Sequence, residues 1–216
     1  MKFLNTILDI IFPVCCISCS KNGCILCVKC LGNCSSAERE SEKWIFPLFD
    51  YRDPLVKKSI WLLKYKGKKG LGAIFAEVLY GRILEELSEL SVMENFREPT
   101  LIPIPLAPKR RRERGFNQAE LICRKLIELD KEKNLKLEKD VLIKPKDTEH
   151  QARIEDRTKR LKNIVGSFAV KNGEKIKGKN IILIDDVTTT GATLSEARKI
   201  LKQSGAKKII AFTVAH

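Results

Sequence analysis

The stretch Ile181-Ile182-Leu183-Ile184-Asp185-Asp186-Val187-Thr188-Thr189-Thr190-Gly191-Ala192-Thr193 constrains the fold more than any other part of this chain. Four branched apolar residues in a row read as a strand buried on both faces, the pattern of a parallel sheet covered by helices. Two carboxylates end the run. The next turn is rich in hydroxyls and backbone N–H groups, and Gly191 lets the backbone approach a ligand closely where a helix begins. A helix N-terminus favours phosphate, and carboxylates accept hydrogen bonds from vicinal sugar hydroxyls or hold Mg²⁺ through water. Adjacent carboxylates at a buried sheet edge are costly without partners, so the pair is read as functional. The P-loop and the dinucleotide-binding glycine fingerprint are both absent, which disfavours nucleotide hydrolysis and dinucleotide chemistry.

The rest of the chain supports an α/β reading. Its 216 residues are 44% hydrophobic, enough for one packed domain with a small appendage. Helices are expected over 54–66, 71–90, 115–129 and 193–203, and strands over 100–104, 141–143, 180–184 and 208–214. Strands alternating with helices imply a mostly parallel sheet with ligands at the carboxyl ends of its strands. Phe46, Phe49, Tyr51 and Trp61 are read as core.

Seven of the eight cysteines lie between Cys15 and Cys34. In a reducing compartment such a density points to metal ligation rather than disulfides. Cys16/Cys19 and Cys27/Cys30 are each separated by two residues, and two such knuckles supply four thiolates for one tetrahedral structural Zn²⁺. Cys24 and Cys27 have the same spacing, and Cys15 and Cys34 lie close enough to substitute, so the second pair has alternatives. Cys123 falls on the face of Phe116, Ala119 and Leu126 and is read as core. Residues 35–43 are polar and read as a linker between a segment at 1–40 and a domain at 41–216.

Lysine and arginine total 41 against 27 acidic residues, a formal charge of +14 that suits polyanionic partners. One basic run comprises Lys109, Arg110, Arg111, Arg112 and Arg114, and a second includes Lys57, Lys58, Lys64 and Lys66. Lys64, Arg111, Arg112 and Arg114 are the expected nucleic-acid contacts. The apolar stretch 3–14 contains Asn5 and Asp9 and is too short to span a bilayer, so no transmembrane segment and a cytoplasmic location are expected. Its Leu4, Ile7, Leu8 and Ile11 face offers a surface for a protein partner.

The run from Asp185 to Thr193 resembles the phosphoribosyl-pyrophosphate (PRPP) signature of type I phosphoribosyltransferases. Lys64-Tyr65, Ile102-Pro103-Ile104-Pro105, Arg114-Gly115-Phe116-Asn117-Gln118, Thr148 with Gln151, and Arg160 with Asn163 extend the likeness. With the cysteine knuckles, they resemble the ComF family, phosphoribosyltransferase-fold proteins linked to DNA uptake in natural competence. The resemblance covers nearly the whole chain. It implies a type I phosphoribosyltransferase-like, mostly parallel sheet with flanking helices, preceded by a zinc-ribbon-like segment.

By the same resemblance, Asp185 and Asp186 meet the ribose hydroxyls and act as the catalytic carboxylates. Thr188, Thr189, Thr190, Gly191, Ala192 and Thr193 hold the 5-phosphate, and Lys109 and Arg110 lie near the pyrophosphate. Thr148, Gln151 and Arg160 fall in a mobile loop that closes over PRPP, and Lys144 and Lys146 stand where arginines are common. The implied function is Mg²⁺-dependent PRPP binding with single-stranded DNA binding in DNA uptake, alongside a DNA-uptake helicase or other competence proteins. The alternative is an active transferase joining PRPP to a nitrogen base in nucleotide metabolism or salvage.

Overall fold

Five strands pair side by side in one all-parallel sheet. A computed structural model describes residues 14–38, 42–145 and 166–216. In it the sheet comprises β1 (Ile45–Phe49), β2 (Thr100–Pro103), β3 (Lys136–Leu137), β6 (Asn180–Val187) and β7 (Lys208–Ala215), in spatial order β1-β7-β6-β2-β3. β4 (Leu142–Ile143) and β5 (Ala169–Val170) form a separate antiparallel pair. The helices are α1 (Val28–Gly32), α2 (Pro54–Lys66), α3 (Gly70–Glu94), α4 (Pro108–Arg114), α5 (Gln118–Leu129) and α6 (Ala192–Gln203).

Alternation along β6 divides the core. Ile182 and Ile184 join one apolar cluster with Val56, Ile60 and Leu63 of α2, Phe75 and Leu79 of α3, and Ile122 and Leu126 of α5. Ile181 and Leu183 face the opposite cluster, which holds Leu194, Ala197 and Leu201 of α6 with Trp44 and Phe168. Full burial of one such leucine or isoleucine contributes roughly 1.5–3 kcal/mol, so both faces of β6 anchor the sheet. Leu26 and Leu31 of the cysteine segment belong to the first cluster, packed with the same core as β1 and α2.

Local signals explain the helix ends nearest the cleft. Asp53 caps α2 by accepting from the N–H groups of Leu55 (2.8 Å) and Val56 (3.2 Å). Pro54 sits at its first position, and Gly67 ends it in the left-handed region at φ 62°. Four sequence expectations are corrected here. A single helix over 115–129 is replaced by α4 and α5, because Gly115 adopts φ 74° and closes α4, after which Asn117 caps α5. The basic run is therefore itself helical. An edge strand, β1, occupies residues expected only as core aromatics; Phe46 and Phe49 are buried, but Trp61 is 46% exposed. Residues 35–37 are not a free linker: Asp50 N–H donates to the Ser35 carbonyl (2.8 Å) and Ala37 N–H to that of Leu48 (3.1 Å).

Among the described residues no helix is long and apolar enough to cross a membrane. Thr148, Gln151 and Arg160, together with Leu4, Ile7, Leu8 and Ile11, lie outside the described residues.

Candidate ligand cleft and cysteine cluster

β2 and β6 have different lengths, and the cleft begins there. Their register pairs Pro103 with Ile184, and the Ile104 N–H makes a last bond to the Ile184 carbonyl at 2.9 Å. β6 then continues through Asp185, Asp186 and Val187 beside β7 alone. The space vacated by β2 is a cleft bordered by Asp185, Asp186, Lys64, Arg110, Arg114 and Lys144. Sheet topology thus places the two carboxylates opposite a cationic wall drawn from α2, α4 and the strand region before residue 146.

The carboxylates differ in their surroundings. Asp186 is 7% exposed, and its Oδ1 lies 2.8 Å from Lys64 Nζ. Burial pulls the Lys64 ammonium down, but the Asp186 carboxylate outweighs it and the net shift is upward. Asp185 accepts a 2.8 Å hydrogen bond from the Asp186 N–H. Burial, followed by the charge of Asp186, pushes the Asp185 carboxyl up to about 7, with Lys64 opposing. Near neutrality Asp185 therefore stands between its protonated and ionised forms, a property suited to a group that meets hydroxyls or a cation.

The loop after β6 is less uniform than its sequence. Thr188 is 5% exposed and its N–H donates to the Ala215 carbonyl at 3.0 Å, so that N–H is committed to the sheet. Thr189 and Thr190 are exposed. Gly191 holds φ 72°, a left-handed backbone that favours glycine, and a Cβ there would crowd Ile45 Cδ1 at 3.2 Å. Thr190 Oγ1 accepts from the Ala192 N–H at 3.4 Å, and Thr193 reaches the cleft wall.

The basic residues separate into two groups. Arg110 and Arg114 line the cleft and make no ion pair among the described residues; burial and the neighbouring Arg114 charge lower the Arg110 pKa. Lys109, Arg111 and Arg112 are exposed, and Arg111 is paired with Glu120 at 2.8 Å. Lys64, expected at a nucleic-acid surface, is instead inside the carboxylate site. The sequence held a signal for this: Lys64 lies one turn beyond Ile60 and next to Leu63, on the inward face of α2. A second, adjoining cleft shares Lys64, Arg110 and Arg114 and adds Tyr65 and Phe116. Arg114 sits over the Tyr65 ring (5.2 Å), and Lys66 over that of Trp61 (5.4 Å).

Cys16, Cys19, Cys27 and Cys30 converge so that their sulfur atoms all lie within 4.8 Å of one another. A tetrahedron of thiolates at about 2.3 Å from Zn²⁺ has edges of about 3.8 Å. Cys19 to Cys27 measures 3.7 Å and Cys16 to Cys27 measures 3.9 Å. Backbone N–H groups also point at sulfur: Cys27 N–H donates to Cys16 Sγ and Cys30 N–H to Cys27 Sγ, each at 3.4 Å. These are thiols arranged for a metal ion. Among the alternatives, Cys15 contacts Asn22 and Cys34 donates to the Cys30 carbonyl, and neither joins the four.

The all-parallel sheet, with carboxylates ending its central strand and a threonine–glycine loop before a helix, defines a protein of the phosphoribosyltransferase fold. Residues 114–216 match the family described as the phosphoribosyl transferase domain. Competence protein F of Haemophilus influenzae is 31% identical over 182 residues, covering 82% of this chain and 74% of that protein. Competence protein ComFC of Bacillus subtilis is 32% identical over 168 residues, 77% of this chain. Its counterpart in Streptococcus pneumoniae is 34% identical over 151 residues, 70% of this chain. The chain belongs to the ComF family. The matched region spans 62% and 59% of the Bacillus and Streptococcus proteins respectively.

Proposed function

We propose that the cleft binds PRPP with Mg²⁺ and that the protein acts in the handling of incoming DNA during natural competence. The observation that carries this reading is the placement of Asp185 and Asp186 beyond the end of β2, facing Arg110, Arg114 and Lys144. A ligand that suits this cleft carries hydroxyls for the carboxylates and anionic groups for the cations, and PRPP has both. The loop from Thr189 to Thr193 stands at the α6 N-terminus, which has no side-chain cap from Gly191 and favours a phosphate. Asp185 and Asp186 fit ribose hydroxyls directly or Mg²⁺ through water, and the metal would offset diphosphate charge. The competence role is drawn from relatives named competence proteins.

In the transferase form of this reading, an acceptor nitrogen forms a bond to the anomeric carbon as the bond to pyrophosphate oxygen breaks. The electron pair leaves with pyrophosphate, and the acceptor's proton passes to solvent. Asp185 and Asp186 would stabilise positive charge growing on the ribose. The test is thermal protection: PRPP with Mg²⁺ raises the melting temperature of the wild type, while Gly191→Val, which forces a side chain into the left-handed turn, loses that shift. Equal protection of both proteins overturns the phosphate-loop assignment.

A second reading, single-stranded DNA binding, is favoured by one observation. Trp61 and Tyr65 are 46% and 55% exposed at successive turns of α2, on the same helix as the exposed Lys57, Lys58 and Lys66 and with Arg114 over the Tyr65 ring. Exposed rings interleaved with cations offer stacking and phosphate contacts together. Trp61→Ala is expected to weaken oligothymidylate binding about tenfold, with affinity falling steeply as salt rises. An unchanged affinity removes α2 from the DNA surface.

A further inference from the structure

We propose that Gln118, at the N-terminus of α5, reads the diphosphate of the ligand; this rests on the PRPP reading above. Gln118 is 1% exposed, and its Nε2 has no hydrogen-bond partner among the described residues. It lines the cleft with Arg110, Arg114, Asp185 and Asp186. A carboxamide nitrogen carries two donors, and leaving them buried and unmade forfeits their hydration with nothing in return. A ligand that enters the cleft with acceptor oxygens removes that cost.

The neighbouring residue fixes where those donors stand. Asn117 Nδ2 donates to the Ile104 carbonyl (3.0 Å), and Asn117 Oδ1 accepts from the Ala119 N–H (3.0 Å). The start of α5 is thereby pinned to the point where β2 ends. The positive end of the twelve-residue helix adds to the field at this spot. Glu120 in its first turn would oppose an anion, but Arg111 and Arg124 each hold it at 2.8 Å.

Two poles result within one cleft. Asp185 and Asp186 repel an anion and accept hydroxyls, whereas Gln118 Nε2 offers unpaired donors and Arg110 and Arg114 offer donors with positive charge. A sugar between the carboxylates, with its 5-phosphate in the loop from Thr189 to Thr193, leaves its diphosphate for the Gln118 pole. Gln118 then separates PRPP from sugars bearing a single phosphate.

The experiment is a set of calorimetric titrations with pyrophosphate, ribose 5-phosphate and PRPP, each with Mg²⁺, into wild type, Gln118→Leu and Gln118→Glu. Pyrophosphate and PRPP affinity are expected to fall about tenfold or more in Gln118→Leu, and further in Gln118→Glu, where a carboxylate meets the anion. Ribose 5-phosphate affinity stays within about twofold in Gln118→Leu. The melting temperature of ligand-free Gln118→Leu matches or exceeds that of the wild type, because an apolar group replaces an unpaired amide. Unchanged pyrophosphate affinity in Gln118→Leu, or a loss confined to ribose 5-phosphate, overturns the assignment. So does a lowered melting temperature in both Gln118→Leu and Gln118→Met, which would make the residue structural. A wild type that binds none of the three ligands refutes the PRPP reading itself, a different outcome from any of these.

Discussion

Lys64 Nζ stands 2.8 Å from Asp186 Oδ1, so a lysine from a basic, outwardly polar helix serves as the internal counter-ion of the carboxylate cleft. Both side chains are largely buried, at 19% and 9% exposure. Breaking a buried pair by deleting one partner typically costs about 3–5 kcal/mol, because the other charge is left uncompensated. Lys64→Met keeps the stem and removes the ammonium. Its loss of stability in urea unfolding is expected to be larger at pH 8 than at pH 5, where Asp185 already holds a proton and the cleft carries less uncompensated negative charge. The double variant Lys64→Met/Asp186→Asn recovers most of the loss; an equal loss at both pH values contradicts the pairing.

Asp185 gives a second pH dependence. Burial, then the Asp186 charge, lifts its carboxyl from an ordinary 3.8 to about 7. Between those values the folded chain holds a proton that the unfolded chain has released, so stability falls as pH rises through the window. Relative to Asp185→Asn, the wild type is expected to lose about 3 kcal/mol between pH 4.5 and pH 7.5. A parallel pH profile for the two proteins sinks the assignment. PRPP affinity runs the other way, strengthening as pH rises through about 7, because hydroxyls and Mg²⁺ require the ionised form.

The cysteine segment should carry about one Zn²⁺ per chain, measurable by metal analysis of the purified protein. Leu26 and Leu31 share a core with α2 and α3, so chelation is expected to lower the melting temperature of the whole protein rather than loosen a tail. Cys27→Ser reproduces the effect, since Cys27 touches both Cys16 and Cys19. A metal-free preparation that melts at the same temperature as the metal-loaded one would refute this.

Gly72 tests the helix packing that supports the cleft. A Cβ at this position would lie 2.6 Å from Leu121 Cδ2 and 2.9 Å from Leu121 Cγ. Gly72→Ala is therefore expected to cost about 1–3 kcal/mol despite alanine's better helix propensity. Adding Leu121→Ala relieves the clash, and equilibrium unfolding of the single and double variants measures it; a stabilised Gly72→Ala would show that Leu121 yields freely.

Much of this arrangement was legible in the residues. The bounds of α2 follow from Asp53, Pro54 and Gly67, and β6 from its unbroken branched apolar run. β1 was harder to read because Pro47 interrupts it. That proline is tolerated since β1 is the edge strand of the parallel sheet, with β7 on one side and only the short bridge of Ser36 to Phe49 on the other. Gly115 was read as opening a helix when its left-handed backbone closes one, which hid the turn that presents Arg114 and Phe116. The carboxylates and the four cysteines are local motifs, whereas the partners of Asp186 and the vacancy of Gln118 depend on how α2, α5 and β6 meet. Pattern along the chain carries no such distance.

The most direct test of the carboxylate cleft is a calorimetric titration of PRPP with Mg²⁺ into the wild type and Asp185→Asn/Asp186→Asn. Binding at about one PRPP per wild-type chain is expected, with loss of about 100-fold or more in affinity in the double variant and oligothymidylate binding largely retained. Equal PRPP affinity in the two proteins would contradict the placement of the sugar at the end of β6.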